Sequence, residues 1–392
     1  MNELVLPIRA GGSVSFWSTK RALLILGLVA GAGTAVLAAT GNPGNMALCI
    51  ACFLRDSAGA LKFHTTATVA YLRPEIVGIL LGALLAAVAS REYRAVAGSS
   101  PMIRFLLGGV MMIGALVFLG CPTRMVLRMS AGDLSAYVGL VGLAAGVLTG
   151  TLMLKRGFSL GRSYATRREV GLVLPILAGV ALLASVTTSL LVVSEKGPGS
   201  LSAPVAASLL VGVLFGAIAH RTRMCFGGSL RDIYLFRDAT LAMPIIGFFL
   251  AMLLFNVVTG RFAWVAFGPI AHAETLWNIL GLYVVGFAAV LLGGCPLRQL
   301  VLAGSGSSDA AITVLGMFFG AAFAHNFGLA SAPAAAATGG AAAVAGGPAA
   351  AGQVAVLVCI AVLFAVAAMG VRGRAATATT KTEGQTQPAP VE

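Results

Sequence analysis

The sequence is poor in charge. Only 10% of its 392 residues are Asp, Glu, Lys or Arg, while 58% are hydrophobic. A soluble domain carries about 25% charged residues, so this chain cannot cover a water-facing surface. The composition excludes an ordinary soluble protein and predicts an integral membrane protein.

Several motifs are also absent. The sequence has no Gly-x4-Gly-Lys-Ser/Thr phosphate loop, which excludes ATP coupling of that type. A gradient, facilitated diffusion or trapping inside the cell is left as the driving force. Six cysteines do not make a disulfide scaffold in a membrane protein of this size. No His/Cys cluster has zinc spacing, and we expect no metal, no cofactor and no catalytic residues.

Basic residues exceed acidic ones, and the net charge is +13. In a soluble domain this excess would suggest nucleic acid. In a membrane protein Lys and Arg mark cytoplasmic loops. We therefore expect the lipid bilayer, and no nucleic acid, as the partner of this surface.

Ten apolar runs are long enough to be transmembrane helices, since about 20 residues cross the hydrocarbon core. The predicted spans are 21–40, 73–90, 102–120, 133–154, 170–193, 203–219, 239–258, 274–292, 308–327 and 352–370. The Ala- and Gly-rich stretch 331–352 is predicted to be a loop. The polar tail 371–392 is predicted to be disordered and cytoplasmic.

The distribution of basic residues predicts the orientation. With the N-terminal segment 1–20 in the cytoplasm, 19 of the 26 Lys and Arg residues fall on the cytoplasmic side. The reverse orientation would invert this ratio, so both termini are predicted to be cytoplasmic. The loop 155–169 contributes most to this assignment.

The chain repeats itself. The motif Gly-Cys-Pro-x-Arg occurs at 120–124 and again at 294–298, which is 174 residues later. Upstream of each copy, Cys49 and Cys225 precede an Arg-Asp pair by six residues. The same motifs in the same order predict two related halves.

The predicted halves are 21–193 and 203–370, joined by a periplasmic linker at 194–202. Each half has five spans, an odd number, so the second half must be inverted relative to the first. Inverted repeats of this kind are typical of transporters, with the site where the halves meet. The segment 20–39 has features of a signal peptide, but the repeat favours a retained helix.

Each Gly-Cys-Pro motif predicts a short helix, at 122–131 and 296–305. Pro suits the first helical position because its missing N–H would have no partner there, and the preceding Cys becomes the N-cap. Gly132 and Gly306 are the predicted C-caps. Helices this short cannot span a membrane and are predicted to be re-entrant.

The start of such a helix attracts anions through its free N–H groups and dipole. Cys121 and Cys295 would therefore lie where negative charge is favoured. Arg124 and Arg298, three residues later, are candidate anion ligands. The alternative is structural, with each Arg bonding carbonyl groups or a carboxylate.

The upstream motifs form a second pair. Cys49 and Cys225 lie deep in short apolar segments that end in Arg-Asp, and both are candidate pathway residues. Arg55 and Arg231 are secondary candidates, although their Asp neighbours suggest structural ion pairs. Cys52 makes a Cys-x-x-Cys motif with Cys49, which leaves a redox function open.

The inverted layout would place four thiols, those of Cys49, Cys121, Cys225 and Cys295, along one axis. Thiols are polarizable weak donors, which suit a sulfur or selenium anion better than a hard ion. This pattern favours an importer over an enzyme. A membrane thiol oxidoreductase using Cys49 and Cys52, and a passive channel, are the alternatives.

These residues resemble the YeeE/YedE family of membrane sulfur-compound transporters over roughly 20–370. The stretches 45–56, 73–75 and 156–162 are most similar to the YedE-type branch, whose members are described as selenium transporters. The resemblance implies a pseudo-symmetric, hourglass-shaped protein of the bacterial inner membrane. Its cysteines would pass thiosulfate or a selenium species inward by thiol hydrogen bonds.

Carried onto this chain, the lining positions are Cys49, Cys121, Cys225 and Cys295, with Cys52 as the alternative to Cys49. The resemblance also raises a cytoplasmic sulfur- or selenium-carrier protein as a partner. The tail after Arg372 is too short for such a domain, so we expect none to be fused to this chain.

Overall fold

The computed structural model describes residues 19–335 and 344–383, with side chains up to residue 371. It is mostly helical. The helices are α1 Lys20–Thr40, α2 Ile50–Ala60, α3 Pro74–Ala89, α4 Pro101–Val117, α5 Pro122–Ser130, α6 Leu134–Lys155, α7 Val173–Thr187, α8 Val205–Arg221, α9 Phe226–Phe236, α10 Met243–Val258, α11 Thr275–Leu292, α12 Pro296–Gly304, α13 Ser308–Asn326 and α14 Ala350–Glu383.

The all-α membrane fold is confirmed. Within the described residues, nine helical stretches are long and apolar enough to cross a membrane, and three of these include a short half-helix. The remaining predicted span, 73–90, corresponds to α3, an apolar helix of 16 residues. Large apolar side chains such as Leu183 and Leu210 are exposed, as expected for helices that face lipid.

Two predicted boundaries differ from the structure. The fifth span was expected to reach residue 193, but α7 ends at Thr187. Beyond it, Val192 and Ser194 donate backbone hydrogen bonds to carbonyls of Ala60 and Ala70, so the chain is extended there. At the other end, α14 continues to Glu383, through part of the stretch predicted to be disordered. Its Ala-rich composition favours helix, and residues 384–392 lie outside the described part.

Helix packing follows the predicted repeat. If α1–α7 correspond to α8–α14, the pair α1–α10 corresponds to α3–α8, and α6–α11 to α4–α13. All four pairs are extensive contacts. Two of them are close because glycines meet backbone carbonyls, Gly27 against Pro244 and Gly82 against Val213, as is common in membrane helix pairs. Each helix pair thus has an equivalent pair in which the two halves have changed places, which supports a two-fold relation between the halves. The domain limits and the inverted orientation stay predictions.

The last helix of each half departs from this relation. Helix α7 packs on α3, whereas α14 packs on α4 and α11. The two halves are therefore equivalent in their first six helices only.

Loops assigned to the same side of the membrane contact one another. On the predicted cytoplasmic side, β1 (Val96–Ala97) pairs with β2 (Tyr164–Ala165), and Val96 also bridges to Ser307. On the predicted outer side, Asp133 bridges to Val265. These contacts agree with the predicted topology.

The half-helices α2, α5 and α12 lie inside the bundle, whereas α9 is buried at its start and exposed at its end, where Phe236 is 72% exposed. Helices α5 and α12 have nine residues each, which is about 14 Å of helix, so neither could span alone. Every residue of α2 is buried. Short helices of this kind, enclosed by longer ones, agree with the predicted re-entrant segments.

Candidate functional site

Two half-helices of the first repeat begin at the same place. Cys49 is the N-cap of α2 and Cys121 is the N-cap of α5. Their Sγ atoms are 3.8 Å apart, although the residues are 72 positions apart in the chain. Both side chains are fully buried. The positive ends of two helices therefore meet at a pair of thiols.

Cys52 belongs to the same cluster. Its Sγ lies 2.8 Å from Cys49 Sγ and 3.9 Å from the carbonyl oxygen of Leu119. Its backbone N–H donates to Cys49 Sγ at 3.3 Å, which caps the helix. Cys49 thus lies between Cys52 and Cys121 and contacts both sulfur atoms.

The second repeat reproduces this arrangement. Cys225 is the N-cap of α9 and Cys295 is the N-cap of α12, with Sγ atoms 3.7 Å apart. The N–H of Gly228 donates to Cys225 Sγ at 3.2 Å, in the position of Cys52. We call Cys49–Cys121 the first thiol pair and Cys225–Cys295 the second thiol pair. All four cysteines are free thiols.

The prediction of N-caps is confirmed for Cys121 and Cys295. For Cys49 and Cys225 the sequence predicted no cap and placed both residues deep in segments that end in Arg-Asp. Instead these cysteines begin their helices, and the helices continue past Arg-Asp to Ala60 and Phe236. The structure groups the four thiols in two pairs, one in each repeat, and their alignment along one axis stays a prediction.

Each residue of the Gly-Cys-Pro-x-Arg motif has a distinct role. Pro is the first helical residue, and Arg124 or Arg298 is the third. The Arg stem folds back over the motif Gly, because a Cβ at Gly120 would lie 2.7 Å from Arg124 Cδ. At Gly294 a Cβ would lie 2.8 Å from Arg298 Cγ. Gly is needed so that the guanidinium can return toward the thiols.

Arg124 is fully buried and has no carboxylate partner among the described residues. It donates to the carbonyls of Asn45 at 3.2 Å and Ile270 at 2.9 Å, and also to that of Leu119. Its Nη1 lies 3.7 Å from Cys52 Sγ. The structural alternative, carbonyl bonding, therefore holds for this Arg, yet its positive charge stays beside the first thiol pair.

Arg298 has fewer partners than its counterpart. Its Nη1 is buried and has no hydrogen-bond partner in the described part of the chain. It lines a cavity of about 360 Å³ together with Arg223, His220, Glu92 and other residues. The equivalent arginines therefore differ: Arg124 is bound to carbonyls, whereas Arg298 lines a cavity and has an unpaired Nη1.

The secondary candidates, Arg55 and Arg231, form ion pairs with their neighbours. Arg55 Nη2 lies 2.6 Å from Asp56, and Arg231 Nη2 lies 2.8 Å from Asp232. Asp56 also binds the buried Arg73 at 2.8 Å. These contacts support the structural interpretation of the Arg-Asp steps.

A second cavity, of about 250 Å³, lies near the first thiol pair on the predicted outer side. Arg55, Leu119, Ile270 and His325 are among its lining residues. Leu119 separates this cavity from the thiols, since its carbonyl accepts from Cys52 and Arg124. Its φ is +60°, a conformation that costs a non-glycine residue about 1 kcal/mol or more.

Sequence reasoning missed several residues near the site. Asn45, Glu92, His220 and Arg223 were not among the predicted site residues. Arg223 stands two residues before Cys225, which is a signal that the sequence offered. Glu92 offered none, because its position depends on contacts with α8, more than 100 residues later.

An apolar helical bundle with enclosed half-helices defines an integral membrane protein. A family model described as sulphur transport matches residues 8–149 and 221–390. The chain belongs to this family, which is the YeeE/YedE family. Assignment to the YedE-type branch remains a prediction.

The chain is also similar to the thiosulfate transporter TsuA of Spirochaeta thermophila. The two are 34% identical over 113 residues, which is 29% of this chain and 33% of the relative. The match thus spans a third of the length of that relative, and it does not by itself extend the relative's substrate to this chain.

Proposed function

We propose that this protein imports a small sulfur-containing anion, with thiosulfate as the first candidate and a selenium anion as the second. The observation that carries the proposal is the repeated thiol pair. In each repeat two half-helix N-termini bring two free thiols to 3.8 or 3.7 Å. The family supports sulfur transport, and the similarity to TsuA supports thiosulfate.

The chemistry of the thiol pairs suits such an anion. A thiol is a weak hydrogen-bond donor with a polarizable sulfur, so it binds a terminal sulfur atom without holding it tightly. Weak binding at successive positions permits both arrival and release, as conduction requires. The anion would move from the first thiol pair to the second by exchanging thiol hydrogen bonds.

The surrounding charge favours an anion at both thiol pairs. Arg124 and Arg298 stand in the first turn of their helices, where a cation is unfavourable by about 0.3–1 kcal/mol because the dipole has the same sign. Neither has a carboxylate partner among the described residues. A passing anion would compensate this charge, so the same groups that are costly in the empty protein would stabilise the loaded one.

Both thiol pairs are closed to solvent in this structure, with Cys225 only 5% exposed and the other three fully buried. Passage therefore needs a local opening. Leu119 is the residue we expect to move on the predicted outer side, since it lies between the outer cavity and Cys52.

A thiol oxidoreductase is the second candidate, supported by the 2.8 Å distance between Cys49 Sγ and Cys52 Sγ. Single variants separate the two functions in cells that take up labelled thiosulfate or selenite. Transport predicts that Cys121→Ala abolishes uptake while Cys52→Ala keeps part of it. A redox function predicts no dependence of uptake on Cys121, together with trapping of Cys49 and Cys52 as a disulfide in the absence of reductant.

A further inference from the structure

A basic cavity adjoins the second thiol pair. It has a volume of about 360 Å³. Its lining residues are Arg91, Glu92, Arg94, Val96, His220, Arg223, Arg298, Leu302, Ser305 and Ser307. We call this cavity the arginine vestibule. It lies on the predicted cytoplasmic side.

The chain connects the vestibule directly to the second thiol pair. Arg223 precedes Cys225 by two residues, and Arg298 follows Cys295 by three. A group that leaves the thiols therefore meets these two guanidinium groups next. At the first thiol pair the corresponding Arg124 is instead bound to carbonyls.

Both arginines have free donors. Arg298 Nη1 is buried without a hydrogen-bond partner in the described part of the chain. A buried donor left unpaired is destabilising, and a bound acceptor would remove that cost. Arg223 is exposed and makes no side-chain hydrogen bond or ion pair with the described residues.

The side chains that line the vestibule carry more positive than negative charge. Its lining includes four arginines and a single carboxylate, that of Glu92. Glu92 Oε2 lies 3.2 Å from His220 Nε2, and its Oε1 lies 3.9 Å from Arg221 Nη1. Glu92 thus pairs with His220 and Arg221, and within the described residues it makes no ion pair with Arg298.

We propose that the arginine vestibule is an anion-binding site that receives the substrate from the second thiol pair. Arg298 and Arg223 bind the oxygen atoms of a small oxyanion, and Glu92 competes with that anion for the positive charge. The direction of movement rests on the proposed function, whereas anion binding does not. The two sites would divide the recognition of thiosulfate, with thiols for the terminal sulfur and guanidinium groups for the oxygens.

Inorganic sulfate is the probe that isolates the vestibule, because it has the oxygen atoms but no terminal sulfur. Its binding to the purified full-length protein is measured by titration calorimetry at low ionic strength, where charge interactions are least screened. We expect Arg223→Gln and Arg298→Gln each to weaken sulfate binding by about tenfold, the loss of one charge-assisted hydrogen bond. Glu92→Gln should tighten binding by about threefold because it removes the competing charge.

Arg162→Gln is the matched control, since Arg162 is an exposed residue of the same predicted side that does not line the vestibule; it should bind like the wild type. Arg223 is exposed, so its variant decides the question even if Arg298→Gln fails to fold.

Sulfate binding that Arg223→Gln leaves unchanged would overturn the inference, whatever happens to uptake. The transport proposal fails separately, if the wild type takes up no thiosulfate while its sulfate binding still depends on Arg223. Cys295→Ala should show the opposite pattern, with intact sulfate binding and no uptake.

Discussion

At the residue scale, the motif glycines are fixed by the arginines that fold over them. Gly120 and Gly294 leave no room for a Cβ beside the stems of Arg124 and Arg298. The residue that precedes each motif glycine is also constrained. Leu119 and Gly293 occupy equivalent positions, and both have positive φ, at +60° and +80°. Glycine adopts this backbone freely, so the second repeat avoids a strain that the first repeat retains.

We expect Gly120→Ala to displace Arg124 and to destabilise the protein by about 1–3 kcal/mol, the usual cost of overpacking. Its uptake should fall as well, because the guanidinium leaves the first thiol pair. Thermal unfolding of the purified variant and uptake in cells give the two readings.

Gly179→Ala is the control for this substitution. A Cβ at Gly179 in α7 would meet nothing within 4 Å, so helix propensity should leave the protein unchanged or up to about 1 kcal/mol more stable. Equal melting temperatures for Gly120→Ala and Gly179→Ala would contradict the account of the motif.

At the scale of elements, the four half-helices divide into two kinds of cap. In α2 and α9 the Cys side chain accepts a backbone N–H, whereas in α5 and α12 the Cys side chain makes no capping bond. The thiols of Cys49 and Cys225 therefore serve helix stability as well as any transport. The thiols of Cys121 and Cys295 have no capping contact to explain them.

This difference separates stability from transport at Cys49. Serine is a good N-cap, so Cys49→Ser should keep the stability of the wild type, while Cys49→Ala should lose about 1 kcal/mol. Uptake should be lost in both variants, since neither has a thiol. Full uptake by Cys49→Ser would show that any small hydrogen-bonding cap suffices, against a role for the sulfur.

Local signals explain which caps the sequence reveals. Pro122 and Pro296 mark the first residue of their helices, so the caps at Cys121 and Cys295 could be predicted. No proline follows Cys49 or Cys225. Their positions depend on sulfur contacts made 72 and 70 residues away, which a linear pattern does not contain.

The hydrogen-bond partners of Arg124 could not be predicted from the sequence either. Its acceptors are carbonyls of Asn45 and Ile270, 79 and 146 residues distant in the chain. The ten spans were predictable because about 20 apolar residues in sequence report on one local property. The contacts that define the site join segments from both repeats and depend on the whole fold.

At the scale of the whole molecule, the two repeats supply matching thiol pairs but different surroundings. The first pair is enclosed by Arg124, Leu119 and the loop that carries Ile270. The second pair is followed by the open arginine vestibule. This asymmetry gives a near-symmetric protein two distinct ends.

The central claim is that substrate passes the thiols of both repeats, and uptake of labelled thiosulfate by proteoliposomes tests it most directly. Purified protein excludes trapping by other enzymes. Cys121→Ala and Cys295→Ala are the informative variants because neither thiol caps its helix. Cys359→Ala, in α14 and outside both pairs, is the control. We predict saturable uptake by the wild type and the control, and none by either variant. Uptake at the wild-type rate by both variants would contradict the account.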